Sequence, residues 1–325
     1  MKITIVGAGA MGCLFVALLR RSGLDVHVLE INRETVAAVS RDGILLENSA
    51  GVHEVGDIPI TRDAASIGSA DYVLFFVKSF DTAQAAAFAA GCIGGQTTVV
   101  TLQNGIGNVE VLAKRYPGNV VLAGTTAHGA TLLGPAHVRH AGSGDTAIGC
   151  MQPRGRPAAV RLCDAFAAAG IDVRLVDDID ALLWRKLLVN IGINPLAALL
   201  DIANGRILEL DHARAAMHAA VREAAAVAAA KGIAIDADEA VGRVEQVCRA
   251  TRDNLCSMLQ DLRAGRTTEI DYLNGAVVRE GRSLRCAVSV NAMLSDLVRA
   301  RQLLAGASDA GSCRARSCGP VTGSA

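Results

Sequence analysis

Aromatic side chains are scarce: Phe, Trp and Tyr make up 3% of the 325 residues, although 51% are hydrophobic. A core with so few rings must be built from Ala, Val, Leu and Ile, which suits packed helices and parallel strands. A surplus of one charge is missing too. The 32 basic and 32 acidic residues give a formal net charge of +0. Bulk electrostatic attraction to nucleic acid or to an anionic membrane surface is therefore not expected. The nine cysteines form no CxxC pair. Their odd count and scatter fit reduced thiols better than a disulfide framework or a zinc site, so no metal is expected. No run of eighteen uncharged apolar residues is present, which argues against a membrane span. The start, MKITIVGAGAMG, lacks the length and cleavage pattern of a signal peptide, and the cytoplasm is the default location.

A chain of this length suggests two domains. KITIV is a β-branched run of the kind expected in a strand buried on both faces. AMGCLFVALLRRSG follows with helical spacing and a glycine stop. LDVHVLE, ADYVLFFVK and TTVVTLQNG read as further strands, alternating with helical RETVAAVSRDG, DTAQAAAFAAG and GNVEVLAKRY. GILLEN and VHEVGDIPITR look like shorter strands, an excursion from the main pattern. The alternation predicts an α/β, Rossmann-type doubly wound parallel sheet over residues 1–175. From about residue 176 to 304 nearly everything has helical periodicity, and an all-α second domain is expected there. The final stretch, 305–325, is rich in Gly, Ser and Ala without periodicity and is expected to be a disordered tail.

GAGAMG places Gly7, Gly9 and Gly12 in G-x-G-x-x-G spacing directly after a predicted strand and at the start of a predicted helix. Gly7 allows a tight turn, Gly9 a close approach of a pyrophosphate, and Gly12 close packing of helix on strand. Backbone N–H groups of Gly7, Ala8, Gly9, Ala10, Met11 and Gly12 are the candidate phosphate cradle, helped by the positive end of the helix dipole. Glu30 ends the second strand, where an acid can accept hydrogen bonds from a ribose. Lys78 and Asn104 end two other strands and so belong to the crevice at their carboxyl ends.

LLWRKLLVNIGINPLAALL, residues 182–200, reads as a buried helix, yet carries Lys186, Asn190 and Asn194 at i, i+4 and i+8. These three fall within roughly 80° of one another on one face. An unpartnered buried polar group costs about 1–3 kcal/mol, so a wet pocket along that face explains them better than a dry core. Pro195 removes the N–H that would bond the Ile191 carbonyl and should kink or end the helix, freeing that carbonyl beside the two amides for a ligand hydroxyl. Further on, Asn254, Ser257 and Asp261 have the i, i+3, i+7 spacing of one helix face, and Glu269 follows a Gly-Arg-Thr-Thr loop.

Taken together, GAGAMG, LQNG, DALLWRKLLVNIGINPL and the NLCSMLQDLRAGRTTEIDYLNG segment resemble the ketopantoate reductase (2-dehydropantoate 2-reductase) family, in the right order from residue 1 to about 304. The resemblance implies a Rossmann domain and a helical domain with the active site in the cleft between them. It implies reduction of 2-dehydropantoate to (R)-pantoate, usually with NADPH, on the route to pantothenate and coenzyme A. It also implies roles: Lys186 as general acid, Glu269 as the group that contacts substrate and orients that lysine, and Asn190 and Asn194 as holders of the substrate's distal hydroxyl. Ser257 would bind the carboxylate, with Asn254 beside it, and Asn104 would sit at the nicotinamide and the reacting carbon. The chemistry agrees, because hydride addition to a ketone builds an alkoxide that an ammonium can stabilise and protonate. A buried lysine needs a carboxylate to keep its proton, and Glu269 is the candidate.

Two departures stand out. Where the family often has GxPxPxN this chain reads CAVSVN at 286–291, and the family arginine after the second strand is Ile31 here, preceded by Glu30. A carboxylate at position 30 favours ribose hydroxyls and repels a 2′-phosphate, so NADH is expected to serve at least as well as NADPH, unless Glu30 turns to solvent and pairs with Arg33; Arg33 and Lys78 are the nearby cations that would partly compensate, and the resemblance implies a phosphate contact for Lys78. The alternatives are an NAD-linked D-2-hydroxyacid dehydrogenase on the same scaffold and a non-catalytic dinucleotide sensor. The complete set of Lys186, Glu269, Ser257 and Asn104 argues against a sensor. The expected partner is a small 2-oxo acid, without nucleic acid or membrane, and the chain is expected to be a monomer or homodimer.

Overall fold

The first strand sets the pattern. In Lys2–Val6 (β1) successive side chains face opposite sides, and both sides are buried beyond Lys2: Ile3 and Ile5 on one, Thr4 and Val6 on the other. The computed structural model describes residues 1–315 of the chain, and side chains for 1–304. The strands that follow are β2 (Asp25–Leu29), β3 (Ile44–Asn48), β4 (Gly51–Val55), β5 (Ile60–Thr61) and β6 (Tyr72–Phe75). Then come β7 (Thr98–Thr101), β8 (Val120–Thr126), β9 (Gly129–Gly134), β10 (His137–Gly142), β11 (Thr146–Cys150) and β12 (Val173–Val176). The helices in this part are α1 (Ala10–Arg21), α2 (Arg33–Asp42), α3 (Ala64–Ile67), α4 (Thr82–Phe88), α5 (Asn108–Arg115) and α6 (Arg156–Ala168).

The main sheet has the order β12-β11-β8-β7-β6-β1-β2-β5. Every pair from β5 to β8 is parallel; β11 runs antiparallel to β8, and β12 is parallel to β11. The chain leaves β1 for β2 on one side and returns to β6 on the other, which makes the β1/β6 boundary the topological switch point. Two apolar layers cover the sheet. Ile3, Ile5 and Leu74 pack with Leu14 and Phe15 of α1 and Leu162 and Phe166 of α6. Val73, Phe75 and Val99 face the other way, onto α3, α4 and Leu112 of α5. The excursion strands build something the sequence did not announce: a second sheet, ordered β4-β3-β10-β9, in which β3 pairs parallel with β10. Its Leu46 and Val138 pack into the same core as α1.

Beyond β12 the described chain is helical: α7 (Ile179–Leu200), α8 (Asp211–Ala230), α9 (Ala237–Ala250), α10 (Ser257–Arg263), α11 (Asn274–Ser283) and α12 (Ser289–Ala315), with short 3₁₀ turns. The α/β-then-all-α organisation is thus present. By its internal contacts the chain divides into two compact units, one ending at Leu183 and the other beginning at Trp184, so the division falls inside α7. Among the described residues no helix is long and apolar enough to cross a membrane. At the other end, α12 continues through Ala315, so residues 305–315 are helical where the composition had suggested an irregular tail; residues 316–325 lie outside the described chain.

Pro195 does not end α7, which runs on to Leu200. The Ile191 carbonyl it releases is taken by the Asn274 side chain, whose Nδ2 donates to it at 3.2 Å. That carbonyl is therefore not left for a ligand, contrary to the expectation from the sequence. Asn274 is fully buried and also donates to Asn291 Oδ1 at 3.0 Å; Asn291 Nδ2 donates in turn to the Ala220 carbonyl and to Glu223. Glu223 also accepts from the Val290 and Asn291 backbone N–H groups, capping the start of α12. Buried polar groups joined in this way tie α7, α8, α11 and α12 together, and each such bond contributes about 0.5–1.5 kcal/mol.

Candidate active site

The glycine-rich turn occupies the switch point. Gly7 has φ +96°, a left-handed value that a side chain resists, and a Cβ there would stand 2.8 Å from Val77 Cγ1. The turn after β1 therefore lies directly against the segment after β6. A Cβ on Gly12 would sit 1.9 Å from the Gly7 carbonyl oxygen, so α1 can approach β1 only without one. Gly9 differs: a Cβ there meets nothing within 4 Å. Gly9 is also the N-cap of α1, and no side chain caps that helix. The first N–H groups of α1, at Ala10, Met11 and Gly12, have no acceptor within the helix, and the Gly9 Cβ position beside them borders open space. That is the geometry a pyrophosphate requires, and the residues present fit a dinucleotide.

Glu30 follows β2 and is 9% exposed. One carboxylate oxygen accepts from the Ala8 backbone N–H at 2.6 Å, the other from the Asn32 N–H at 2.7 Å. It does not turn to solvent to pair with Arg33. Glu30 fastens the middle of the glycine turn to the end of β2. Nearby, burial together with the Glu30 charge pushes the Cys13 thiol up to about 12, so this cysteine stays protonated. Ile31 is 54% exposed. Its carbonyl accepts from Arg62 Nε at 2.9 Å, and Arg62 directly follows β5, the strand beside β2. Sequence reasoning passed over Arg62 because β5 is only two residues long.

Lys78 and Asn104 stand three residues beyond β6 and β7, both partly buried at the carboxyl edge of the sheet. A buried polar network that the sequence reading missed holds their two loops together. Gln103 Nε2 donates to the Val77 carbonyl and to Thr82 Oγ1, each at 2.8 Å. Asn108 Nδ2 donates to the Asn104 carbonyl at 3.0 Å and to Ser79 Oγ at 3.2 Å, and Ser79 Oγ donates to the same carbonyl at 2.8 Å. The Asn104 backbone is thus clamped while its side chain makes no hydrogen bond within the described residues. Ser79, Thr82, Gln103 and Asn108 could be found only by asking why so many polar residues follow two strands in an apolar sheet.

A second polar pair lies further along the same unit. His128 Nδ1 and His140 Nε2 are 2.9 Å apart, and Phe15 meets His128 edge-on. Burial lowers the pKa of both imidazoles, and for His128 the His140 ring adds to the effect while Asp145 and Asp172 oppose it.

In the helical unit, α7 is continuous through Lys186, Asn190 and Asn194, so the expected shared face is present. Lys186 and Asn190 are partly buried and Asn194 is 8% exposed. Neither amide side chain makes a hydrogen bond within the described residues. Asn194 is brought to α10 through its backbone: Cys256 Sγ donates to the Asn194 carbonyl at 3.6 Å. Cys256 also caps α10 by accepting from the Leu259 N–H, which places the exposed Ser257 as the first residue of that helix. Asn254 is not on the same helix face as predicted. It precedes α10 in an exposed loop whose backbone is bonded to Asn204. Asp261 is buried and accepts from Arg266 Nε at 3.0 Å, a structural pair that ties α10 to the loop after it. Glu269 is buried at the start of the 3₁₀ turn Ile270–Tyr272. Among the described residues no group of three or more His, Cys, Asp or Glu side chains is placed to hold a metal ion.

Comparison with known proteins agrees with this division. Residues 3–153 match the family described as Ketopantoate reductase PanE/ApbA, and residues 178–302 match its C-terminal counterpart. A 2-dehydropantoate 2-reductase of Halobacterium salinarum is 37% identical, over 93% of this chain and 99% of its own. The crystal structure of a PanE/ApbA family ketopantoate reductase from Ralstonia eutropha superposes with a TM-score of 0.86 at 32% identity, covering 94% of this chain and 99% of its own. D-mandelate dehydrogenase in a ternary structure with NADH and anilino(oxo)acetate gives 0.89 at 29% identity, with the same coverage. A glycine turn at the switch point, a lysine and two asparagines on one helix face, and family matches across both units lead to one conclusion: the chain belongs to the ketopantoate reductase family.

Proposed function

We propose that this protein reduces the ketone of 2-dehydropantoate to give (R)-pantoate. The reading rests on membership of the family, and the observation that carries it is the set of groups gathered in the helical unit. Asn190 and Asn194 lie on the Lys186 face of α7, and the Cys256–Asn194 contact holds the start of α10, with Ser257, beside them. NAD(P)H, when bound, supplies the hydride. The residues of the chain do the rest. The turn at Gly7–Gly12 and the N-terminus of α1 hold the pyrophosphate. Asn104, with its backbone clamped and its amide unengaged, is available to the nicotinamide or to the reacting carbon. Lys186 stabilises the developing alkoxide and delivers its proton to that oxygen. Glu269 orients the lysine. Asn190 and Asn194 receive the distal hydroxyl, and Ser257 the carboxylate. For the adenosine end, the buried carboxylate of Glu30 retains lone pairs beyond those used by Ala8 and Asn32, so NADH is used at least as well as NADPH.

A specific observation keeps a second reading in view. D-mandelate dehydrogenase superposes on this chain as well as the reductases do. The test is a substrate series of 2-dehydropantoate, 2-oxoisovalerate and benzoylformate, followed by cofactor absorbance. The proposal expects the highest kcat/KM with 2-dehydropantoate. A preference for benzoylformate would transfer the chain to the D-2-hydroxyacid dehydrogenases.

A further inference from the structure

We infer that Arg62 is the residue through which this chain recognises the adenosine 2′-phosphate of NADPH. The inference rests on the dinucleotide-binding reading above and extends it to a residue from a different strand. In a Rossmann sheet the residues just after the second strand meet the adenosine ribose, and an arginine nearby accommodates a 2′-phosphate. Here that place holds Glu30 and Ile31, neither of which can bind a phosphate through its side chain. The adjacent strand provides the cation. β5 pairs parallel with β2, Leu29 opposite Thr61, and the Glu30 N–H donates to the Thr61 carbonyl at 3.0 Å. Arg62 therefore stands beside Glu30 at the same carboxyl edge. Its Nε donates to the Ile31 carbonyl at 2.9 Å, which fixes the root of the guanidinium against the chain after β2. The remaining N–H groups of the exposed guanidinium meet no described acceptor and no carboxylate. A planar fork held at one corner with its outer edge open is suited to phosphate oxygens.

Glu30 does not oppose this as strongly as its position suggests. Both of its oxygens accept backbone N–H bonds, one from Ala8 in the glycine turn and one from Asn32 after β2, and its exposure is 9%. Arg33 is another cation near the site. It is exposed on the first turn of α2, and no hydrogen bond places its head. The structure thus distinguishes an anchored arginine from an unanchored one, and the adenosine site accepts both cofactors: ribose hydroxyls through Glu30, the 2′-phosphate through Arg62.

The experiment measures Kd for NADPH and NADH directly, by nucleotide fluorescence without substrate, in the wild type and in Arg62→Ala, Arg62→Lys and Arg33→Ala. Loss of a charge-assisted fork should weaken NADPH about tenfold or more in Arg62→Ala while NADH stays within about twofold. Arg62→Lys should fall between, since an ammonium keeps the charge and loses the fork. An unchanged NADPH Kd in Arg62→Ala, an equal loss for both nucleotides, or a selective NADPH loss in Arg33→Ala instead would each overturn the assignment. A wild type that binds neither nucleotide would overturn the dinucleotide reading itself, which is a separate result.

Discussion

Gly9 and Gly12 belong to one motif, yet the structure gives them opposite tasks, and two alanine variants separate them. In Gly12→Ala the new methyl would lie 1.9 Å from the Gly7 carbonyl oxygen and 3.0 Å from its carbon. Both are backbone atoms, so no rotamer change relieves the clash. Helix α1 must retreat by roughly 1.5 Å to reach ordinary van der Waals separation, and it carries Leu14 and Phe15 of the main core with it. Overpacking of this kind costs about 1–3 kcal/mol, here toward the upper end. At about 2–4 °C per kcal/mol for a domain of this size, Tm should fall by roughly 6–12 °C. In Gly9→Ala the methyl meets nothing within 4 Å and the backbone, at φ −72°, is unstrained. Only the weaker N-cap preference of alanine remains, worth about 0.5–1 kcal/mol, so Tm should drop by no more than roughly 4 °C. The same methyl occupies the space where the pyrophosphate must come close, and NAD(P)H binding should weaken by about tenfold to a hundredfold. Thermal melts and nucleotide titrations on both variants decide the matter. A Gly9→Ala protein that binds NADPH within twofold of wild type, or that melts as low as Gly12→Ala, would refute the division of labour.

Three further outcomes follow from other parts of the site. Lys186→Ala should lower kcat by about 10²–10⁴-fold with little change in cofactor Kd; retention of more than half the turnover would remove the lysine from the general-acid role. Asn194→Ala, and likewise Asn190→Ala, should lose about 1–3 kcal/mol in kcat/KM for 2-dehydropantoate but much less for 2-oxoisovalerate, which has no distal hydroxyl; equal losses would count against a hydroxyl clamp. The His128–His140 pair makes stability pH-dependent in a definite direction. Burial holds both folded-state pKa values below the ordinary histidine value. The unfolded chain therefore binds more protons near and below about pH 6.5. Stability from the pair is complete above that pH and declines as the pH falls through it. Tm measured from pH 7.5 to 5.5 should drop more steeply in the wild type than in His140→Gln, and parallel curves would refute the assignment.

How much of this was legible in the sequence depends on the range of the interactions. KITIV and the glycine turn are local signals: an unbroken apolar run, then a spacing whose geometry follows from backbone sterics. The Lys186 face of α7 was legible for the same reason, since helical angles are fixed by spacing alone. Failures came where a distant residue decided the matter. The Ile191 carbonyl looked free because its new donor, Asn274, is 83 residues away in a segment, YLNG, that resembles a turn. Asn254 has helical spacing to Ser257 and Asp261, but the Cys256 sulfur caps α10 and the helix starts at Ser257, three residues after Asn254. Glu30 was legible as an acid at the end of a strand, but its bond to the Ala8 N–H was not, because that bond depends on a turn at the far end of another strand. The network around Gln103 and Asn108 was invisible for a related reason: Ser, Thr, Asn and Gln after a strand read equally well as ordinary turn formers.

The second sheet has a consequence for how the chain is made. Its central pair joins β3 to β10, and the Glu47–Arg139 contact across it spans 92 residues. During synthesis at about 5–20 residues per second, β3 and β4 emerge roughly 5–20 s before the strand that completes them. Throughout that interval the hairpin β3–β4 lacks the partner of β3 and has an apolar face, with Leu46 and Val55 lacking part of their final cover. Helix α1, already synthesised, is the surface on which that hairpin can wait. The nascent protein is thus most exposed to misassociation midway through translation of its first unit, and faster elongation through residues 49–137 would shorten the risk.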